Sequence, residues 1–185
     1  MKIGRKTLQR RWAITTVAAL AVFAVLVLID LKLRAVTGYG TRDLQMVSDP
    51  QGFVPILHAW SGRVYATLAG FSLGFDFLFM PLYGFALYYS GIMAAEAFAP
   101  NPGLARRILL ILAIVPLVGA VCDAAENSLE MMILTGGPND ALARAAYTAS
   151  NAKLLCFYVG LLLLAAALAG LLKRRTRDDG NQETA

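Results

Sequence analysis

Four long apolar stretches alternate with short polar ones along the chain, at about 12–33, 64–89, 108–134 and 142–172. Each is long enough to cross a hydrocarbon core of ~30 Å, which takes roughly 20 helical residues. The spacing therefore predicts four membrane-spanning helices. Pro-Asn-Pro-Gly at 100–103 and Gly-Gly-Pro-Asn-Asp at 136–140 break the helical pattern between them. Asn139 or Asp140 is the expected N-cap of the last helix. Basic residues before the first stretch give it the look of a signal peptide. Its length, and an exit into Asp30, Lys32 and Arg34 with no small-x-small cleavage site, predict an uncleaved anchor instead.

Composition agrees with this picture. The chain is 58% hydrophobic and 16% charged, too apolar for an ordinary soluble domain. The fold class expected is all-α, a four-helix transmembrane bundle formed by 12–172. A basic tail, 1–11, precedes it, and a basic and polar tail, 173–185, follows it and is expected to be disordered from 176 onward. A pI near 9.4 would suit a nucleic-acid binder. The basic residues flank apolar spans, however, so the partner expected is the lipid bilayer and not nucleic acid. Eleven of them fall in the two tails and the 106–107 connection, six on the opposite side. The positive-inside rule then places both termini in the cytoplasm, N-in/C-in, in a bacterial inner membrane.

The long connection, 34–62, faces outward in that topology. Thr41 is the expected cap of a short helix through Ser48, and Asp49-Pro50-Gln51-Gly52 reads as a turn. Residues 53–60 mix apolar side chains with Pro55 and His58, which fits a segment lying on the membrane surface or folded over the bundle mouth as a lid. Cys122 and Cys156 fall in apolar helices and are expected as free thiols; no zinc spacing occurs.

Against this apolar background stand Asp76, Asp123, Glu126 and Lys153. Ionisable groups at such depth are expensive, so they are paired, reached by water or functional. A rise of ~1.5 Å per residue converts position into depth. Asp123 and Glu126 stand about 24 and 28 Å above Arg107, Lys153 about 30 Å above Lys173, and Asp76 about 20 Å above Tyr89. All four belong to the outer half. Asp123, Glu126, Asn127 and Glu130 follow an i, i+3, i+4, i+7 pattern and share a face. Tyr65, Ser72, Asp76 and Tyr83 form another stripe, and Tyr147, Asn151 and Lys153 a third. Lys153 either snorkels to the outer interface or descends to the carboxylates. Glu130 is expected at head-group level, and Trp60 and the tyrosines as interfacial anchors. The inner half carries few polar residues, so the expectation is a cup open to the outside over a dry floor. That arrangement argues against a channel, which needs polar groups at both depths.

Three carboxylates facing one lysine leave negative charge to be balanced by protons or by a bound cation. Asp76, Asp123 and Glu126 are the candidate acid/base or ligand-charge groups, and Asn127, Lys153, Tyr83 and His58 the candidate binding groups. No metal site is expected, since the one histidine has no partner ligands and no calcium-loop motif occurs. The sequence leaves any cofactor unknown, and no nucleophile motif or phosphate loop is present.

Gly38-Tyr39 leading to Asp43-Leu44-Gln45, Asp76-Phe-Leu-Phe-Met-Pro81-Leu-Tyr83, and Asp123-Ala-Ala-Glu126-Asn127 with Lys153 in the next span resemble a group of small bacterial four-span proteins without an assigned activity. The resemblance runs from about 38 to 153 and implies a shared architecture and polar site, with no substrate. The function expected is a periplasm-facing, carboxylate-rich pocket that binds or converts a lipid-like or small cationic ligand. The alternatives are a non-enzymatic component whose polar cluster fixes helix packing or docks a partner, and a proton-coupled transporter.

Overall fold

Each of the four apolar stretches forms one uninterrupted helix, and each helix overruns the stretch that predicts it. The structure, a computed structural model, describes residues 4–182, with side chains described through Lys173. In chain order the elements are α1 (Arg5–Thr37), α2 (Thr41–Gln45), α3 (Pro50–Ala59), α4 (Arg63–Phe98), α5 (Leu104–Gly136) and α6 (Asp140–Gln182). No strand occurs among the described residues. Helices α1, α4, α5 and α6 are the four long and apolar enough to cross a membrane. At ~1.5 Å per residue, helices of 33 to 36 residues exceed a ~30 Å core. Their ends therefore have room to carry the connecting structure outside it.

The boundaries follow local chemistry. Gly38 ends α1 at φ 82°, and its N–H donates to the Arg34 carbonyl. Asn139 caps α6, its Oδ1 accepting from the Leu142 N–H at 3.0 Å. At the end of α4 the Arg106 guanidinium donates to the Ala99 carbonyl at 3.1 Å, supplying a partner for an orphan carbonyl. Two details differ from the sequence expectation. The expected disordered tail is helical through Gln182, since residues added to an existing helix incur no new nucleation cost; the remainder, 183–185, lies outside the described residues. Thr41 is the first residue of α2 and not its cap. Gly40 precedes the helix, because the Thr41 hydroxyl is turned to Asp30 on α1, at 2.9 Å.

The 34–62 connection folds over one end of the bundle. Asp49-Pro50 opens α3, with Asp49 Oδ1 accepting from the Gly52 N–H at 3.0 Å and proline in the first turn. Leu44, Phe53, Ile56 and Trp60 bury themselves against Leu33 of α1, Ala69 and Leu73 of α4, Ile133 of α5 and Ala143 and Ala146 of α6. Trp60 is thus no interfacial anchor. Its ring is 1% exposed, and its indole N–H donates to Thr37 Oγ1 at 3.2 Å and the Tyr39 carbonyl at 3.3 Å. The buried indole finds the polar partners it needs in the turn that ends α1.

Helix pairing is unequal. α4 packs on α1, α5 and α6, and α5 packs on α6. α1 makes no comparably extended contact with α6; the two share a cluster at the far end, around Leu8, Ala167 and Leu171, and a second at mid-height, through Ala19 and Leu164. Small residues permit the tight seams. A Cβ placed on Gly91 of α4 would stand 2.8 Å from the Ala113 Cα of α5. Gly91→Val is expected to separate these helices and lower stability by about 1–3 kcal/mol, the usual cost of overpacking, read by thermal unfolding in detergent.

Candidate functional site

The polar cluster is assembled from α4, α5 and α6 at the end of the bundle covered by α2 and α3. Asp123 and Glu126 lie one turn apart on α5 and face Lys153 of α6. The ammonium is 3.1 Å from Asp123 Oδ1 and 2.5 Å from Glu126 Oε2. Lys153 therefore turns inward to the carboxylates and does not snorkel. The other Asp123 oxygen, Oδ2, accepts from the Tyr83 hydroxyl at 3.1 Å. Asn127 is fully buried. Its amide N–H groups donate to the Leu73 carbonyl at 3.1 Å and to Asp76 Oδ2 at 2.8 Å, tying α5 to α4. Of the three stripes read from the sequence, Asp76 and Tyr83, Asp123, Glu126 and Asn127, and Lys153 face one another, while Tyr147 and Asn151 stay exposed at the cavity edge.

Glu130 departs from expectation. It is enclosed by the bundle, at 0% exposure, and among the described residues neither carboxyl oxygen has a hydrogen-bond partner. The position is set by its face: one turn beyond Glu126, it continues the buried stripe of α5 that runs through Asp123, Glu126 and Asn127 to Ile133. The Asn127 carbonyl oxygen, Oδ1, is also buried and unpartnered. Buried polar groups are hydrogen-bonded in the great majority of cases, so orphans grouped in one place mark it as exceptional.

In front of the cluster is a cavity of about 650 Å³. Its inner wall holds Asp76, Asp123, Tyr83 and Lys153, with Ser72, Ser150 and Asn151 beside them. Its side walls come from α1, through Phe23, Leu26, Val27 and Leu31, and from α6, through Leu154, Phe157 and Tyr158. α2 and the residue that follows it supply the roof, with Thr41, Arg42, Gln45 and Met46. The roof is latched to α1. Asp30 Oδ1 accepts from the Thr41 hydroxyl, and Arg34 pairs with Asp43 at 2.8 Å. Below the acids, rings close the cavity. Phe23 stacks on Phe79 with centroids 5.5 Å apart, Phe79 meets Tyr83 at 4.9 Å, and Tyr83 meets Phe157 edge-on at 5.6 Å. Met80, Leu87, Ala19 and Leu164 pack with these rings. The dry floor is an aromatic layer that links α1, α4 and α6.

Of the candidates, His58 stands apart, exposed on α3 and outside the cavity lining. Cys122 and Cys156 are free, on neighbouring faces of α5 and α6. Among the described residues no group of three His, Cys, Asp or Glu side chains is arranged to hold a metal ion. Sequence reading missed the contribution of α1, whose row of apolar residues looks like any lipid-facing surface. It also missed Ser150, one of many small polar residues at the start of α6. Asp30 was visible only as a polar end to the first span; its part in holding the roof needs Thr41, eleven residues on.

The arrangement carries more acid than base. Asp76, Asp123, Glu126 and Glu130 share one interior with Lys153 as its cation. Asp123 and Glu126 take that cation. Asp76 has the Asn127 amide and, among the described residues, no ion pair, and it lines the cavity. Comparison with protein-family models, with curated proteins and with solved structures finds no match to this chain, so the site stands on its own geometry.

Proposed function

We propose that this is a multi-pass inner-membrane protein, N-in/C-in, whose carboxylate-rich pocket faces the periplasm and binds or converts a lipid-like or small cationic ligand. The orientation rests on the excess of basic residues at the end of the bundle away from the cavity. The ligand class rests on one observation above all: Asp76 presents a carboxylate to a largely apolar cavity and makes no ion pair among the described residues, while Lys153 on the same wall is held by Asp123 and Glu126. A cavity of this size, apolar with a few convergent polar groups, has the usual character of a small-molecule site. A ligand ammonium beside Asp76 would complete the charge balance that Lys153 completes for Asp123 and Glu126. Conversion, if it follows binding, would be acid–base in kind, with Asp76, Asp123 and Glu126 exchanging protons and Tyr83, Asn127 and Lys153 orienting them.

The packing alternative draws support from Asn127, which joins the α4 backbone to α5 and gives a hydrogen bond across the helix seam. Asp76 separates the two readings, since a carboxylate kept only for packing has no need to line a cavity. The transporter reading gains no support from an aromatic layer beneath the acids.

The test is the melting temperature in a nonionic detergent with and without dodecylammonium. The parent is expected to gain about 2–3 kcal/mol of stability near a hundredfold excess over Kd. Asp76→Asn is expected to match or exceed the ligand-free parent in stability and to lose the response. A response retained in full by Asp76→Asn would sink the reading, as would none in the parent.

A further inference from the structure

The cavity carries two charged groups, one on its inner wall and one at its roof, that make no ion pair among the described residues. At the inner wall is Asp76, whose partner is the Asn127 amide. At the roof is Arg42. Its backbone N–H points to Asp30 Oδ1, but among the described residues its guanidinium makes no ion pair, although it lines the cavity. Arg34, the neighbouring arginine, is by contrast taken up by Asp43. Phe23 of α1 pairs with Phe79 of α4, so the level of Asp76 falls near Val27. Asp30 and the Arg42 backbone then lie about 5 Å nearer the bundle end. The cavity thus offers a carboxylate below and, above, a guanidinium whose neighbour Asp30 is engaged by the Thr41 hydroxyl.

The walls add a direction of entry. α1 and α6 border the cavity without packing on each other along its height. Their facing side chains are apolar and unburied: Leu31 is 56% exposed, Leu154 43% and Tyr158 55%. In a membrane these exposed rows would meet acyl chains. A bundle with four spans has no need to leave one seam open, since closing it would bury these side chains.

We infer that the ligand is a phospholipid with a primary-amine head group, entering sideways between α1 and α6, its ammonium against Asp76 and its phosphate under Arg42. This rests on the pocket reading above and narrows it. Arg suits the phosphate because its planar fork donates two hydrogen bonds at once. Asp76 suits the ammonium because a charge-assisted hydrogen bond in a partly dry site is among the stronger polar contacts. The head group and glycerol would occupy the 650 Å³ cavity, and the acyl chains would leave through the seam across Phe23, Val27 and Leu154 into the bilayer. An anionic lipid such as phosphatidylglycerol offers Arg42 the same phosphate but brings nothing for Asp76. The inference therefore predicts discrimination by the amine.

The experiment reconstitutes the full chain in nanodiscs of equal phosphatidylethanolamine and phosphatidylglycerol. Native mass spectrometry then counts the lipids retained as detergent strips the belt. One phosphatidylethanolamine per protein is expected, preferred over phosphatidylglycerol by about tenfold, the scale of one charged hydrogen bond. Asp76→Asn is expected to abolish the preference, and Arg42→Gln to weaken retention of both lipids while leaving the preference in place. Equal retention of the two lipids by the parent would overturn the inference. So would a preference that survives Asp76→Asn, which would assign it to the lipid belt. Displacement of the bound lipid by soluble phosphoethanolamine at comparable concentration would also overturn it, by showing that the acyl chains add nothing. The dodecylammonium response is independent of these outcomes. If it persists while lipid discrimination is absent, the pocket binds cations and only the lipid class is wrong; if both are absent, both readings fall.

Discussion

Lys153→Met is expected to destabilise the fold by on the order of 3–5 kcal/mol, the usual result of removing one partner from a buried charge pair. The ammonium meets Asp123 at 3.1 Å and Glu126 at 2.5 Å, and both carboxylates are nearly or wholly buried, at 4% and 0% exposure. Methionine keeps the length and the apolar stem but leaves two acids facing each other one helical turn apart. Their repulsion adds to the loss. The argument is about the imbalance and not about the worth of the pair, because two charges removed together restore neutrality. The triple change Lys153→Met, Asp123→Asn, Glu126→Gln is accordingly expected to recover most of the lost stability. Thermal or denaturant unfolding in one detergent, run as a mutant cycle, separates these terms. If Lys153→Met melts with the parent, the ammonium does not neutralise the cluster, and the assignment of Asp76 as the acid lacking a cation loses its basis.

The long helices were legible because hydropathy over 20 residues is a coarse and redundant signal. So was the polar cluster. An acid in an apolar span stands out by itself, and Asp123, Glu126 and Asn127 are brought to one face by helical geometry alone. Partner choice needed the third dimension. Lys153 had equal reason to rise or descend until Asp123 and Glu126 were seen to lie within its reach. Glu130 and Trp60 were misplaced for a shared reason. Both were assigned by depth, as if the bundle ended in water, whereas the 34–62 cover packs around Trp60 and Glu130 lies on the buried stripe of α5. The folding of 34–62 as a cover depends on Leu44, Phe53 and Ile56 finding Leu33 and Ile133 far along the chain. No local period encodes such contacts. The open seam between α1 and α6 was invisible for the converse reason: an apolar helix surface reads alike whether lipid, ligand or protein covers it.

Glu130→Met is expected to act in the opposite direction from Lys153→Met and to stabilise the protein by about 1–3 kcal/mol, the cost of a buried polar group without a hydrogen bond in protein mutational data. The carboxyl is wholly enclosed, and among the described residues neither oxygen has a partner. Methionine has nearly the same reach, fills irregular space and leaves no polar atom to satisfy. Glu130→Gln removes the acid but keeps polar atoms without partners, so it is expected to recover less. The difference between the two measures hydrogen bonding apart from charge. Melting curves in detergent check the sign directly, and a fall in stability for Glu130→Met would mean that the carboxyl has a partner, such as a buried water. A gain raises the further matter of why the acid is there. Groups that cost stability are found where function needs them. If Glu130→Met melts higher but responds less to dodecylammonium, Glu130 belongs to the field that holds a cation at Asp76. If it melts higher with the response intact, Glu130 lies outside the pocket's electrostatics, and the charge left for a ligand is that of Asp76.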